Sequence, residues 1–220
     1  MKQVIQIRCK NNKKSQKVEI GSTLFDIFSA FDLKMTHGPV SARVNNKVEG
    51  MHYRVYNSKD VEFLDMTSSS GSRAYTRTLF FVLCKAVQDI YPATDVVIDI
   101  PVSNGFYVDI RLGRPVVDED VNIIRRRMQE IIDARMPIRR FTVPTEEAVA
   151  LFQEKGDVEK VKLLKTSGSI YTTYYKIGDY VDYYYGTLLT NTSQLYLFGL
   201  EKYYDGMLLR IPSLKNPDVL

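Results

Sequence analysis

Histidine is scarce in this 220-residue chain: only His37 and His52 occur, both in the first third. Cysteine is as rare, and Cys9 and Cys84 fall in unlike settings, which excludes a disulfide framework. From residue 66 to 220 there is no histidine and one cysteine, on a predicted helix. That stretch lacks the three or four Cys and His ligands typical of a zinc site, and it has neither a histidine triad nor an imidazole general base. Neither GxxxxGK(S/T) nor GxGxxG occurs, so no standard nucleotide-binding turn is present. Long apolar runs are missing too. The opening segment MKQVIQIRCKNNKK soon turns basic, which predicts neither a signal peptide nor a membrane span, and a reducing cytoplasm is the expected setting.

What is present is an ordinary globular composition, 45% hydrophobic and 25% charged, enough for one large or two small cores. The net charge of +4 is uneven. Residues 1–65 hold 11 basic and 7 acidic side chains, whereas residues 66–220 hold 19 of each. Lys10, Lys13, Lys14 and Lys17 crowd one loop. They form either a phosphate- or RNA-attracting patch or a solvated hairpin tip.

TSSSGS (Thr67–Ser72) reads as a flexible linker between a domain at 1–66 and a second at 73–220. Before it, QVIQIRC and KVEI alternate as paired strands. A helix follows, capped by Ser22 or Thr23, with Leu24, Ile27, Phe28 and Phe31 on one face. A hairpin about Asn45-Asn46 and the strand DVEFLDM complete a β-β-α-β-β-β order, the pattern of a β-grasp. After the linker, Ala74–Tyr91 is predicted helical, followed by strands DVVIDIP and GFYVDIRL and a helix from Asp118. IRRFTV is a short strand. Thr145 is expected to cap a helix that stops at Gly156, Val158–Lys165 is a short helix, and the tail reads as tyrosine-rich strands.

In the turn-strand VSNGFYVDIRL, alternation places Phe106, Val108 and Ile110 on one face and Tyr107, Asp109 and Arg111 on the other. The second row suits either a polar cleft or a solvent-facing strand. Arg125–Arg127 are interspersed with acids and fit a salt-bridged helix better than an RNA site. In DYVDYYYG the same alternation groups Tyr180, Asp182 and Tyr184 opposite Val181, Tyr183 and Tyr185.

These segments line up with a known family. GSTLFDI and ARVNNKVEG resemble the TGS domain, a small β-grasp module of threonyl-tRNA synthetases and other nucleotide- or RNA-handling proteins. QDIYP, VSNGFYVDI, DEDVNIIRRRMQEI, EEAVALFQEKGDVEKVKLL and YVDYYYGTLL resemble, in order and spacing, the editing domain of threonyl-tRNA synthetase. The resemblance implies an α+β fold: a β-grasp domain, then an α+β domain with an antiparallel sheet and long helices. It also implies a cleft lined by Arg77, Phe81, Lys85, Asn104, Tyr107, Asp109, Lys160, Asp182, Tyr184 and Leu188. The family's zinc ligands, an HxxxH pair and a later Cys-x-x-x-His, align with Arg77, Phe81, Tyr184 and Leu188, none of which binds zinc. No metal is therefore expected.

The chain is also similar to the N-terminal half of bacterial uridine or nucleoside kinases, in which a TGS domain and a degenerate synthetase-like domain precede a P-loop kinase domain. That likeness implies no cofactor on these residues, with ATP and magnesium belonging to a downstream kinase domain. The expected function is a non-catalytic regulatory region binding a small anionic ligand, a nucleotide or RNA. The alternatives are a metal-free hydrolase using Lys160 and Asp182, and a stand-alone RNA-binding protein.

Overall fold

The computed structural model describes residues 3–103 and 105–220, with Asp99 described through its backbone alone. The chain forms two compact units, one ending at Met136 and resuming over Thr187–Leu220, the other Pro137–Gly186. The fold is α+β throughout, with mostly antiparallel strands and two long helices.

In the first unit, β1 (Val4–Cys9) pairs antiparallel with β2 (Ser15–Glu19) across the lysine-rich turn. Helix α1 (Leu24–Ala30) begins with reciprocal caps: the Thr23 hydroxyl accepts from the Asp26 N–H at 3.2 Å, and the Asp26 carboxylate accepts from the Thr23 N–H at 2.8 Å. Leu24, Ile27 and Phe31 of the predicted stripe are buried, and Phe28 meets Phe63 edge to face. The hairpin β3 (Ser41–Val44) to β4 (Lys47–Glu49) turns at Asn45, whose φ of 53° an asparagine tolerates well. With β5 (Lys59–Leu64) the sheet order is β2-β1-β5-β3-β4, with β1 and β5 parallel. A mixed sheet over one helix is the β-grasp arrangement.

The expected linker is structured. Ser68 caps α2 (Ser69–Ile90), its hydroxyl accepting from the Gly71 N–H at 3.0 Å. A Cβ on Gly71 would collide with the Asp65 carbonyl oxygen and stand 2.7 Å from Val40 Cγ2. Serine and glycine, which resemble flexibility in composition, here serve a cap and a close approach, and the helix starts five residues before Ala74. The residues on either side of 67–72 accordingly fold into one unit.

Strands β6 (Val96–Val102) and β7 (Gly105–Ile110) form a hairpin, and α3 (Asp118–Asp133) follows. The chain then builds the second unit from β8 (Arg139–Pro144), α4 (Thr145–Glu154), α5 (Val158–Thr166), β9 (Tyr171–Ile177) and β10 (Tyr180–Tyr183). It returns to the first unit with β11 (Gly199–Tyr203) and β12 (Gly206–Arg210). These complete an antiparallel sheet of order β11-β12-β7-β6, with Phe106 of β7 meeting Phe80 of α2 edge to face at 4.9 Å. Leu79, Val82, Leu83, Val121, Ile124, Met128 and Ile131 are buried, as the helical periodicity predicts.

The second unit is a β10-β9-β8 sheet whose core holds Ala148, Phe152, Leu164 and Val181. Thr145 does not cap α4. It is the helix's first residue, and its hydroxyl donates to the Ser169 carbonyl at 2.6 Å. The tail is only partly strand: residues 184–198 are irregular apart from a 3-10 turn at Thr192–Gln194. Within the first unit this segment is pinned to α2 by buried Tyr75, whose hydroxyl donates to the Leu197 carbonyl and accepts from the Tyr196 and Leu197 N–H groups.

Candidate functional site

The charged centre of the second unit follows from a short piece of sequence, GDVEK. Gly156, at φ 75°, ends α4, and Asp157 caps α5 by accepting from the Lys160 N–H at 3.0 Å. Three residues along a helix start bring side chain back over cap, so the Lys160 ammonium also reaches Asp157 Oδ2 at 2.8 Å. The same ammonium meets Asp182 Oδ1 at 2.8 Å and lies 5.7 Å from the Phe152 ring centroid. Asp182, on the edge strand β10, is only 6% exposed. It accepts from the Tyr180 hydroxyl at 2.9 Å and from the Tyr183 N–H at 2.6 Å.

Burial alone would push the Lys160 ammonium down, but the Asp182 and Asp157 carboxylates outweigh it and hold its pKa above the ordinary lysine value. Two of its three N–H donors are engaged by carboxylates, and one cation faces two anions, so the group is net negative. A lysine held this way is a protonated anchor and hydrogen-bond donor, and is unsuited to serve as a base.

The remaining residues expected to line a cleft fall in the first unit, except Tyr184. Arg77 is half-buried on α2 and donates to the Thr187 carbonyl at 3.4 Å. Phe81 and Leu188 are buried, as packing side chains are. Lys85 is buried and paired at 3.1 Å with Asp89, which also accepts from Arg127 of α3. Tyr107 and Asp109 project from the sheet face opposite Phe106, away from Phe80 of α2, so the sheet separates them from the side its helices cover. Asn104 lies outside the described residues. Tyr184 follows the end of β10 and is half-buried, so the strand alternation that grouped it with Asp182 stops one residue short.

Lys10, Lys13, Lys14 and Lys17 are all exposed, with Lys13 at φ 61° in the turn. Beside them is a shallow depression of about 500 Å³ lined by Gln6, Arg8, Ser15, Asn45, Ser58, Lys59 and Asp60, in which Arg8 pairs with Asp60 at 3.3 Å.

Asp120, at the start of α3, is another buried carboxylate, and its partners were not foreseen from the sequence. Asp120 accepts two bonds from Arg114, at 2.7 and 2.8 Å, one from the Tyr91 hydroxyl at 2.6 Å and one from the Val117 N–H at 2.9 Å. The paired Arg114 donors hold its carboxyl far below the usual range, against its burial. An acid three residues into a helix was a visible capping signal, but the partners 6 and 29 residues away were not.

Three relatives are similar to this chain over most of its length. The threonine–tRNA ligase of Clostridium kluyveri is 30% identical over 193 residues, 87% of this chain and 30% of its own length. That of Syntrophotalea carbinolica is 30% identical over 204 residues, 88% of this chain and 32% of its own. That of Acetivibrio thermocellus is 29% identical over 181 residues, 82% and 28%. The chain carries a threonyl-tRNA synthetase-like region. It spans under a third of the length of these relatives. No protein-family model matches it. Among the described residues no three His, Cys, Asp or Glu side chains converge as metal ligands would, and no helix is long and apolar enough to cross a membrane.

Proposed function

We propose that this chain is a binding region of a larger protein, derived from a synthetase editing domain and holding RNA or a nucleotide without hydrolysing it. The observation that carries this reading is Lys160. A lysine that activates water must be neutral at working pH, which requires desolvation without anionic neighbours. Two carboxylates at 2.8 Å supply the opposite environment. At the positions where the sequence resemblance puts metal ligands stand Arg77, Phe81, Tyr184 and Leu188, of which Phe81 and Leu188 are buried apolar packing.

Ligand contact has two sources in this reading. The exposed lysines of the β1–β2 turn offer salt-dependent contact to phosphates, whereas the net-negative Lys160 centre offers its third N–H to a neutral ligand oxygen, such as a ribose hydroxyl or a base carbonyl. The experiment pairs calorimetric titration of the whole chain with tRNA, nucleotides and amino acids with a deacylation assay on mischarged tRNA. Binding without deacylation is the expected result. Deacylation that disappears in Lys160→Ala would establish the hydrolase instead, and silence towards every ligand would remove the binding role.

The finer inference, that the parent is a uridine- or nucleoside-kinase-type enzyme in which this region is the TGS and synthetase-like half, rests on the order of segments in the sequence. A GxxxxGK(S/T) motif in the reading frame beyond Leu220 is its expected signature. A synthetase catalytic domain there would replace it.

A further inference from the structure

The outer face of the β11-β12-β7-β6 sheet carries an aromatic cluster that none of the chemistry above uses. Tyr107 of β7 and Tyr203 of β11 meet across β12 with ring centroids 6.3 Å apart, and Tyr203 meets Tyr204 edge to face at 4.7 Å. Ile100, paired in register with Tyr107, is 57% exposed, and Tyr204 is 77% exposed. Apolar side chains so placed on one face are not there for the core of this chain.

Two features show that the cluster is shaped at some cost. Tyr204 is the first residue of the two-residue turn joining β11 to β12, and it adopts φ 49°, a conformation that glycine takes freely and a bulky residue rarely does. Gly206 follows the turn. A Cβ there would collide with the Val108 carbonyl and stand 2.7 Å from the Tyr107 hydroxyl oxygen, so the glycine lets the Tyr107 ring lie across β12. A strained, exposed tyrosine beside a glycine that seats another is the kind of outlier from which a function is inferred.

Charge narrows the partner. Asp109 projects beside Tyr107, and Asp205 sits in the turn. Burial and these two carboxylates together raise the Tyr107 phenol pKa above its ordinary value. Glu201 is engaged by Arg210 at 2.6 Å, and the Lys202 ammonium donates to the Tyr204 carbonyl at 2.9 Å. Among the described residues Asp109 and Asp205 form no ion pair, and the two carboxylates outnumber the one ammonium at the turn, that of Lys202, so the rim is net acidic and disfavours phosphates. A guanidinium suits it on both counts, stacking on tyrosine faces and pairing with carboxylates.

We propose that Tyr107, Tyr203, Tyr204 and Ile100, with Asp109 and Asp205, form a docking surface for an arginine-bearing segment of a protein partner. The probe is a capped, four-repeat Arg-Gly-Gly peptide titrated into the whole chain, with a Ser-Gly-Gly peptide of equal length and an oligouridylate as comparators. The arginine peptide is expected to bind and the serine peptide not. Tyr204→Gly should weaken that binding roughly tenfold while raising Tm by ~2 °C, because glycine relieves the left-handed turn. Asp205→Asn, which leaves the turn's backbone unchanged, should weaken it severalfold. Equal binding by wild type and Tyr204→Gly, or binding of neither peptide, overturns the proposal. Oligouridylate binding that is lost in Tyr204→Gly would overturn it in favour of a base-stacking surface. None of these outcomes depends on whether the Lys160 centre binds a ligand, so the two readings fail separately.

Discussion

Asp120 in the first unit and Asp182 in the second are each buried, and each receives the same three kinds of donor: a cation, a tyrosine hydroxyl and a nearby backbone N–H. They differ in the cation. Asp120 takes both forks of one arginine, so charges balance and the guanidinium's geometry matches the carboxylate's. Asp182 takes one donor of a lysine that also serves Asp157, so the group keeps a net negative charge and a further N–H. A balanced, bidentate pair closes on itself and holds a helix start. An unbalanced, shared lysine is still able to meet something else. Burial and hydrogen bonding alone do not separate a structural lock from a candidate site, whereas the stoichiometry of charge does.

Breaking the two aspartates should break them differently. Asp120→Asn carries the largest expected effect, a loss of about 2 kcal/mol in urea denaturation at neutral pH, because Arg114 loses its anionic partner and one of the two acceptor oxygens shared by Arg114, Tyr91 and the Val117 N–H becomes an NH2 donor. Its pH signature is acidic. The folded pKa lies below the ordinary 3.8, so its stabilisation is complete above that value and is lost as pH falls below it. The variant should show a flatter decline over that range than the native chain.

Asp182→Asn should cost less, about 1 kcal/mol, since Lys160 keeps Asp157 and its side chain is 30% exposed. Its loss should be visible as faster amide exchange along β9 and β10. The pH signature of Lys160 is alkaline. Its folded pKa is raised, so its contribution is complete below the ordinary 10.5 and is lost as pH rises through the folded value. Lys160→Met should remove that part of the alkaline decline. The smallest effect on stability, within about 0.5 kcal/mol, is expected for Lys13→Gln with Lys14→Gln. The same pair should flatten the dependence of log K for RNA on log salt by ~2 or less.

Much of the fold could be read from local signals. Alternation marked β1, β2 and β7, the Ser22-Thr23 pair of candidate caps marked the start of α1, and Gly156 marked the end of α4. Where reading failed, a tertiary contact had taken over a local signal. Ser68 and Gly71 look like linker residues until the Asp65 carbonyl and Val40 are seen against them. Thr145 looks like a cap until its hydroxyl is found on Ser169. The candidate site divides the same way. Lys160 and Asp157 are three residues apart on one helix start and their contact was accessible to spacing, but the approach of Asp182 came only from resemblance. That resemblance also joined Tyr107 and Asp109 to Arg77 and Phe81, which the sheet's two faces keep apart. Asp120, whose partners Tyr91 and Arg114 precede it in separate segments, left no trace in the sequence beyond its place in a helix's first turn.

The direct test of the central claim, that Lys160 is a protonated anchor and not a base, is an NMR titration of its side chain in the whole chain. Signals of the Lys160 ε-methylene should hold their charged position past the ordinary lysine value of 10.5. A transition well below that value, near neutrality, would contradict the account and return the hydrolase reading to first place.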